Sequence, residues 1–191
     1  MDEWLNFYRP FFSNDEEVQV FVEACEQLAP PDNVSKIIMH QGQRLVSLSD
    51  DISNIRPHHE ALQLLFLMMC AENISKLHDG FQGEGQSREH VRRFFDEFLN
   101  DDDKNTVGTG FVDHSAHLMP SLGLRAAVDM LYDVRCDVVH EGNYWGFTFH
   151  DGQMPMLNTD PDVISHITFG QLRSIIVRGC INAIQDQLPA P

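Results

Sequence analysis

The sequence predicts an all-α fold, a helical bundle of five to six helices with a small β-hairpin near residues 144–156. Three observations predict it. Apolar residues recur at helical spacing through most of the chain. Breakers and caps, among them Pro30-Pro31, Pro57, Ser87, Gly142 and Thr168, fall between those stretches. Strand-like alternation appears in NYWGFTFHDGQMPM, around Asp151-Gly152.

Each element has its own signature. Residues 1–14 are rich in aromatics (Trp4, Phe7, Tyr8, Phe11, Phe12), with Pro10 as a breaker. A short helix over 15–28 places Val18, Phe21, Val22 and Cys25 on one face. Asp32 or Asn33 caps the next helix, which carries Ile37, Ile38, Leu45, Leu48 and Ile52 and is weakened at Gly42. A third helix over 58–78 is apolar nearly all round (Leu64, Leu65, Phe66, Leu67, Met68, Met69), so it is central, covered by neighbours or by a second subunit. Ser87 caps a fourth helix with Val91, Phe94, Phe95 and Phe98, and residues 100–113 read as loop. A fifth helix over 122–141 stops at Gly142, and Thr168 opens the last helix, which carries Leu172, Ile175, Ile176, Cys180 and Ile184. Together they form one domain over 1–191.

The composition bounds the function. With 191 residues the chain can bury a core without staples. The formal net charge of −16, from 29 acids against 13 bases, argues against a broad footprint for duplex DNA or an anionic membrane. Cys25, Cys70, Cys136 and Cys180 are far apart and read as reduced packing thiols, which points to a cytoplasmic protein. No apolar run reaches spanning length, and the opening MDEWLNFYRP lacks the pattern of a secretory signal.

The fifth helix holds the most informative conflict. Leu124, Val128, Leu131 and Val138 form an apolar stripe, and Arg135 falls inside it. Such an arginine must be paired, snorkel out, or open into a cleft or subunit interface. Together with the apolar third helix it leads to the expectation of a symmetric homodimer. Asp129, Asp133, Asp137 and Glu141 form a second row, read as a solvated face or, functionally, a ridge for a basic partner or divalent ion. His140 follows Arg135 by five positions. On an ideal helix that is a rotation of about 140°, so the two converge only if the helix unwinds or if two copies meet.

The stretch LYDVRCDVVHEGNYWG resembles the closing motif of HEPN domains, in which leucine and tyrosine precede an arginine and a histidine follows, usually with glycine after it. The likeness extends over residues 57–191 and leaves 1–56 as an N-terminal helical extension. The resemblance implies a homodimeric, metal-independent endoribonuclease of a toxin or antiviral defence system, with a cognate antitoxin or partner protein. Arg135 would bind the scissile phosphate and His140 would serve acid–base chemistry on the ribose 2′-OH. Cys136 and Asp137, directly after the arginine, are the supporting positions; active members often carry asparagine where Cys136 stands. No cofactor and no metal is expected. A catalytically silent HEPN-like dimer that binds protein or nucleotide is the alternative.

Other constellations carry less. His58, His59 and Glu60 read as exposed first-turn residues, since adjacent histidines diverge on a helix. His114 and His117 have HxxH spacing beside Asp113, a distant opening for a metal hydrolase. The glycines of GFQGEGQ follow a helix and do not form a phosphate loop.

Overall fold

The computed structural model describes residues 1–115, 117–151 and 162–188. Its elements in chain order are α1 (Asp2–Tyr8), a 3-10 turn (Arg9–Phe11), α2 (Asp15–Glu26), α3 (Val34–Ile55), α4 (Glu60–His78), α5 (Ser87–Glu97), α6 (Asp101–Thr109), β1 (Phe111–Asp113), α7 (Leu124–Glu141), β2 (Val163–Ser165) and α8 (Phe169–Gln187). The all-α class stands, with one small antiparallel strand pair.

Local chemistry explains the boundaries. The Asn14 side chain accepts the Glu17 N–H at 2.9 Å and starts α2, with acids throughout its first turn. Thr168 and Gln171 form a reciprocal capping box at the start of α8. Gly42, in mid-α3, is a packing device: a Cβ there would lie 3.3 Å from Cys180 Sγ and 3.4 Å from the Tyr8 hydroxyl. Its absence lets α3 close on α8 and α1. Tyr8 is fully buried and donates its hydroxyl to the Met39 carbonyl at 2.7 Å.

Helix α4 is the axis. It packs against α3, α5, α7 and α8, which explains its apolar girth within a single chain. Ala61, Leu64, Leu67, Met68, Cys70, Ala71 and Ile74 are all fully buried. The buried apolar set runs from Tyr8 to Ile184 as one core. Cys25, Cys70 and Cys180 are buried free thiols within it, and Cys136 is half-buried. Among the described residues no helix is long and apolar enough to cross a membrane.

Two segments differ from expectation. Residues 100–113 are not loop: Asn100 accepts the Asp103 N–H at 2.8 Å and opens α6, and Phe111–Asp113 forms β1. The acidic triplet Asp101, Asp102 and Asp103 is the first turn of that helix, where carboxylates meet the positive end of the dipole. The strand pair also lies elsewhere. β1 pairs with β2 in the register Phe111↔Ser165, Val112↔Ile164, Asp113↔Val163. The described residues 144–151 of the expected hairpin are not strand, and 152–156 lie outside the described residues. Phe147 and Phe149 there are buried in the core, and the Phe149 N–H donates to the Glu60 carboxylate at 2.6 Å, so it does not serve a ladder.

Two glycines of α8 make opposite predictions. A Cβ at Gly179 would meet the Phe94 ring at 2.5 Å, whereas one at Gly170 meets nothing within 4 Å. Gly179→Ala should cost about 1–3 kcal/mol in urea unfolding through overpacking. Gly170→Ala should raise stability by up to about 1 kcal/mol through helix propensity.

Candidate functional site

Helix α7 presents the motif without a break. It stops at Gly142, where φ is +67°, a left-handed conformation that suits glycine. The N–H groups of Gly142 and Asn143 both turn back to the Asp137 carbonyl. The helix therefore does not unwind between Arg135 and His140. Within one protomer the two side chains stand about 140° apart on its surface.

Arg135 points inward. Its Nη2 donates to the Glu72 carboxylate of α4 at 3.1 Å, and its guanidinium carbon lies 5.5 Å from the Tyr132 ring centre. Its side chain is 17% exposed and that of Glu72 is 8% exposed, so this is a largely buried pair. Glu72 also receives Lys76 Nζ at 2.6 Å. Burial pushes the Glu72 carboxyl up, but Lys76, the Ser87 hydroxyl and Arg135 outweigh it and hold the group below its ordinary range. Arg135 Nε is buried with no partner among the described residues.

This pairing answers the conflict in the sequence. The arginine on the apolar stripe is neutralised inside the protomer, and the apolar girth of α4 is covered by the same chain. Neither feature calls for a second subunit. Glu72 itself is the residue that sequence reasoning missed. Its signal was present, because it is the sole charged residue of α4 between Glu60 and Lys76, inside an apolar run. A carboxylate placed there needs a cationic partner.

The acidic row is also not simply solvated. Asp129 accepts Arg92 of α5 through both oxygens, at 2.7 and 2.8 Å. Asp133 accepts Arg88, whose guanidinium carbon lies 4.8 Å from the Tyr132 ring centre. The Arg92 hydrogen bonds hold the Asp129 carboxyl below its ordinary range against the effect of burial. Asp137 contributes its backbone carbonyl to the helix stop, and Glu141 is exposed. Cys136 lies beside the Tyr132 hydroxyl; burial first, then this thiol, raises the tyrosine's pKa.

His140 is exposed in the last turn and makes no polar side-chain contact among the described residues. Its chain neighbour Val139 is 50% exposed, and beyond the helix stop Trp145 is 60% exposed. Tyr144 and Trp145 meet edge to face with ring centres 4.5 Å apart, and Tyr144 lies 5.4 Å from the His59 ring. His59 is thus half-buried in an aromatic corner, although the sequence reads as an exposed first turn. Its Nδ1 lies 2.8 Å from the Pro57 carbonyl. A carbonyl only accepts, so Nδ1 carries the proton and Nε2 is the acceptor of the neutral ring. Burial raises the Glu60 carboxyl beside it, against the Phe149 N–H and Thr148 that favour the charged form.

His114 and His117 are exposed, and the Asp113 carboxylate accepts the Ser115 N–H at 2.8 Å and its hydroxyl at 2.6 Å. Among the described residues no group of three or more His, Cys, Asp or Glu is placed to hold a metal ion. No protein-family model, no curated protein and no solved structure matches the chain.

Two stability predictions follow from the ion pairs. A carboxylate held below its ordinary value, near 4.5, stabilises the fold above that pH and loses its contribution as pH falls through the lower folded value. Glu72→Gln should therefore cost about 3 kcal/mol at pH 7 and flatten the acid-induced loss below pH 4.5. Superimposable stability–pH curves for wild type and variant would refute this. Asp129→Asn should lower the urea midpoint more than Asp133→Asn, because the Asp129 side chain is half as exposed, 24% against 48%.

Proposed function

We propose that the chain is a HEPN-like, metal-independent endoribonuclease that acts as a homodimer in the cytoplasm, within a toxin or antiviral defence system. One observation carries the reading. An exposed, unengaged imidazole ends a continuous helix, five residues after an arginine whose guanidinium is held by one carboxylate contact. An imidazole titrates near neutrality and suits proton transfer, while a guanidinium suits phosphate oxygens.

In this reading His140 accepts the ribose 2′-OH proton as the 2′-oxygen attacks phosphorus. The P–O5′ bond breaks, a proton is delivered to the leaving oxygen, and the products are a 2′,3′-cyclic phosphate and a 5′-OH. Arg135 stabilises charge on the phosphoryl oxygens. Because Arg135 and His140 diverge on one helix, the working site combines motifs from two copies.

One observation favours the alternative, a catalytically silent HEPN-like dimer that binds protein or nucleotide. Arg135 is already compensated by Glu72, which weakens its pull on a phosphate. Cys136 stands where active members of the resembled family often carry asparagine.

Cleavage of varied RNAs by the purified protein separates the two. Activity should survive chelator, leave a cyclic phosphate on the 5′ fragment, and fall by about two to four orders of magnitude in His140→Ala. Arg135→Ala should lower it similarly, with folding followed by circular dichroism because the change removes one of the buried Glu72 carboxylate's partners and leaves it Lys76. Arg44→Ala is the control: Arg44 is exposed on α3 and, among the described residues, bonds only to Gln41 of its own helix. Equal residual activity in wild type and His140→Ala would eliminate the ribonuclease reading and leave the binding module.

A further inference from the structure

We propose that the groove between α2 and the end of α8 is a docking site for a protein segment that carries a large apolar side chain flanked by lysine or arginine. None of its lining residues belongs to α7, so the site stands apart from the ribonuclease reading.

The groove has a volume of about 610 Å³, within the range of sites that enclose a drug-sized molecule or one or two large side chains. Its apolar surface comes from Phe12, Val20, Phe21, Ala24 and Leu188. Two rows of α2 supply most of it. Glu16, Val20 and Ala24 follow one another at intervals of four, and Glu17 and Phe21 form the row beside them. Each row begins with a carboxylate and continues with apolar atoms. Val20 is 62% exposed, in a helix that buries Val18 and Val22 almost completely. A valine left outside adds nothing to the core, and its β-branch does not favour a helix.

The walls are fixed before anything arrives. Phe12 packs on Phe21 with ring centres 5.0 Å apart. The Glu17 carboxylate accepts the Ser13 N–H at 3.1 Å and the Asn14 amide at 2.9 Å, while the Asn14 side chain accepts the Glu17 N–H. A preformed wall leaves little ordering entropy to lose on binding.

Charge selects the occupant. The charged residues that line the groove are Glu16 and Glu17, with no cation among the described lining residues. Glu16 is exposed and makes no hydrogen bond or ion pair among the described residues. The donors to Glu17 are neutral, so its charge stands. The nearby Arg9 is taken by Asp15 at 2.9 Å. Across the groove, Gln185 and Leu188 bring the negative end of α8, whose last turn holds no basic residue. A second copy would bring −16 to −16 and is a poor occupant. An apolar anchor between Val20, Phe21 and Leu188, with its basic flank at Glu16 and Glu17, satisfies both surfaces.

The test uses the full chain and a labelled peptide of leucine and lysine patterned as an amphipathic helix, with a leucine–glutamate counterpart. Anisotropy should show saturable binding of the lysine peptide and none of the glutamate peptide. Val20→Asp should weaken binding about tenfold or more. That substitution adds an acid, so attraction by net charge alone would instead tighten binding. Glu16→Lys should also weaken binding about tenfold. Asp51→Lys changes the net charge equally and should leave binding within about twofold of wild type. Asp51 is exposed and follows Asp50, whose partner Arg173 is near the opposite end of α8 from Gln185. Val20 and Glu16 are surface positions of α2, and circular dichroism checks that both variants fold. No saturable binding of the lysine peptide up to about 1 mM overturns the proposal. So does Val20→Asp binding as tightly as wild type, or an equal loss in Glu16→Lys and Asp51→Lys. Self-association in sedimentation that Val20→Asp abolishes also overturns it, since the groove then belongs to a second copy.

Discussion

The structure depends on one buried carboxylate. Glu72 sits in α4, the helix that α3, α5, α7 and α8 enclose. Removing a carboxylate from water costs several kcal/mol unless opposite charge and hydrogen bonds compensate it. The compensation comes from three places: Lys76 one turn on, Ser87 at the start of α5, and Arg135 from α7. One group therefore sets how three helices sit together. The contacts spread outward from it along the α5–α7 seam, where Arg88 and Arg92 meet Asp133 and Asp129. Both Arg88 and Arg135 also lean on the Tyr132 ring.

The opposite side of α4 works differently. There α3 and α8 close on it mainly through small and apolar contacts, with Gly42, Cys70 and Cys180 meeting where no larger residue fits and the two sulfurs 3.6 Å apart; the buried Ser49 hydroxyl, which donates to the Gln63 carbonyl at 2.8 Å, and the His78–Asp186 contact at 2.8 Å are the polar exceptions. Arg173 and Asp50 add a bidentate pair at the edge. An apolar seam tolerates sliding more readily than a seam of matched charges, because contacts between methyl groups have no direction. The rotation of α7 about its own axis is set by its matched charges, which meet Glu72 on α4 and Arg88 and Arg92 on α5.

That rotation has a functional consequence. With Arg135 turned to Glu72, the far end of α7 presents Val139 and His140 to the surface. The arginine is pre-positioned by its partner and is not free to follow a substrate. Chemistry that uses both motif residues must therefore bring a substrate, or a second copy, to a fixed arginine. The carboxylate that steadies it also lowers the field it offers.

Periodicity and punctuation were enough to determine most helices of this protein. The α2, α3, α4, α7 and α8 segments lie within a few residues of where apolar spacing, Pro57, Gly142 and Thr168 place them, because those signals act over a single turn. Helix α6 was hidden by its weak formers, Asn105, Thr106 and Gly108, although its cap and acids were in view. The strand pair escaped because β1 and β2 are three residues each and about fifty apart in sequence; each exists only because the other is there. The alternation of residues 144–151 suggested strands, but Phe147 and Phe149 found the core and Glu60 took the backbone N–H. Arg135 was legible as a residue that needed explaining. Tertiary structure alone decided that the explanation is Glu72, sixty-three positions away, since a salt bridge depends on distance in space and leaves no spacing rule in the chain.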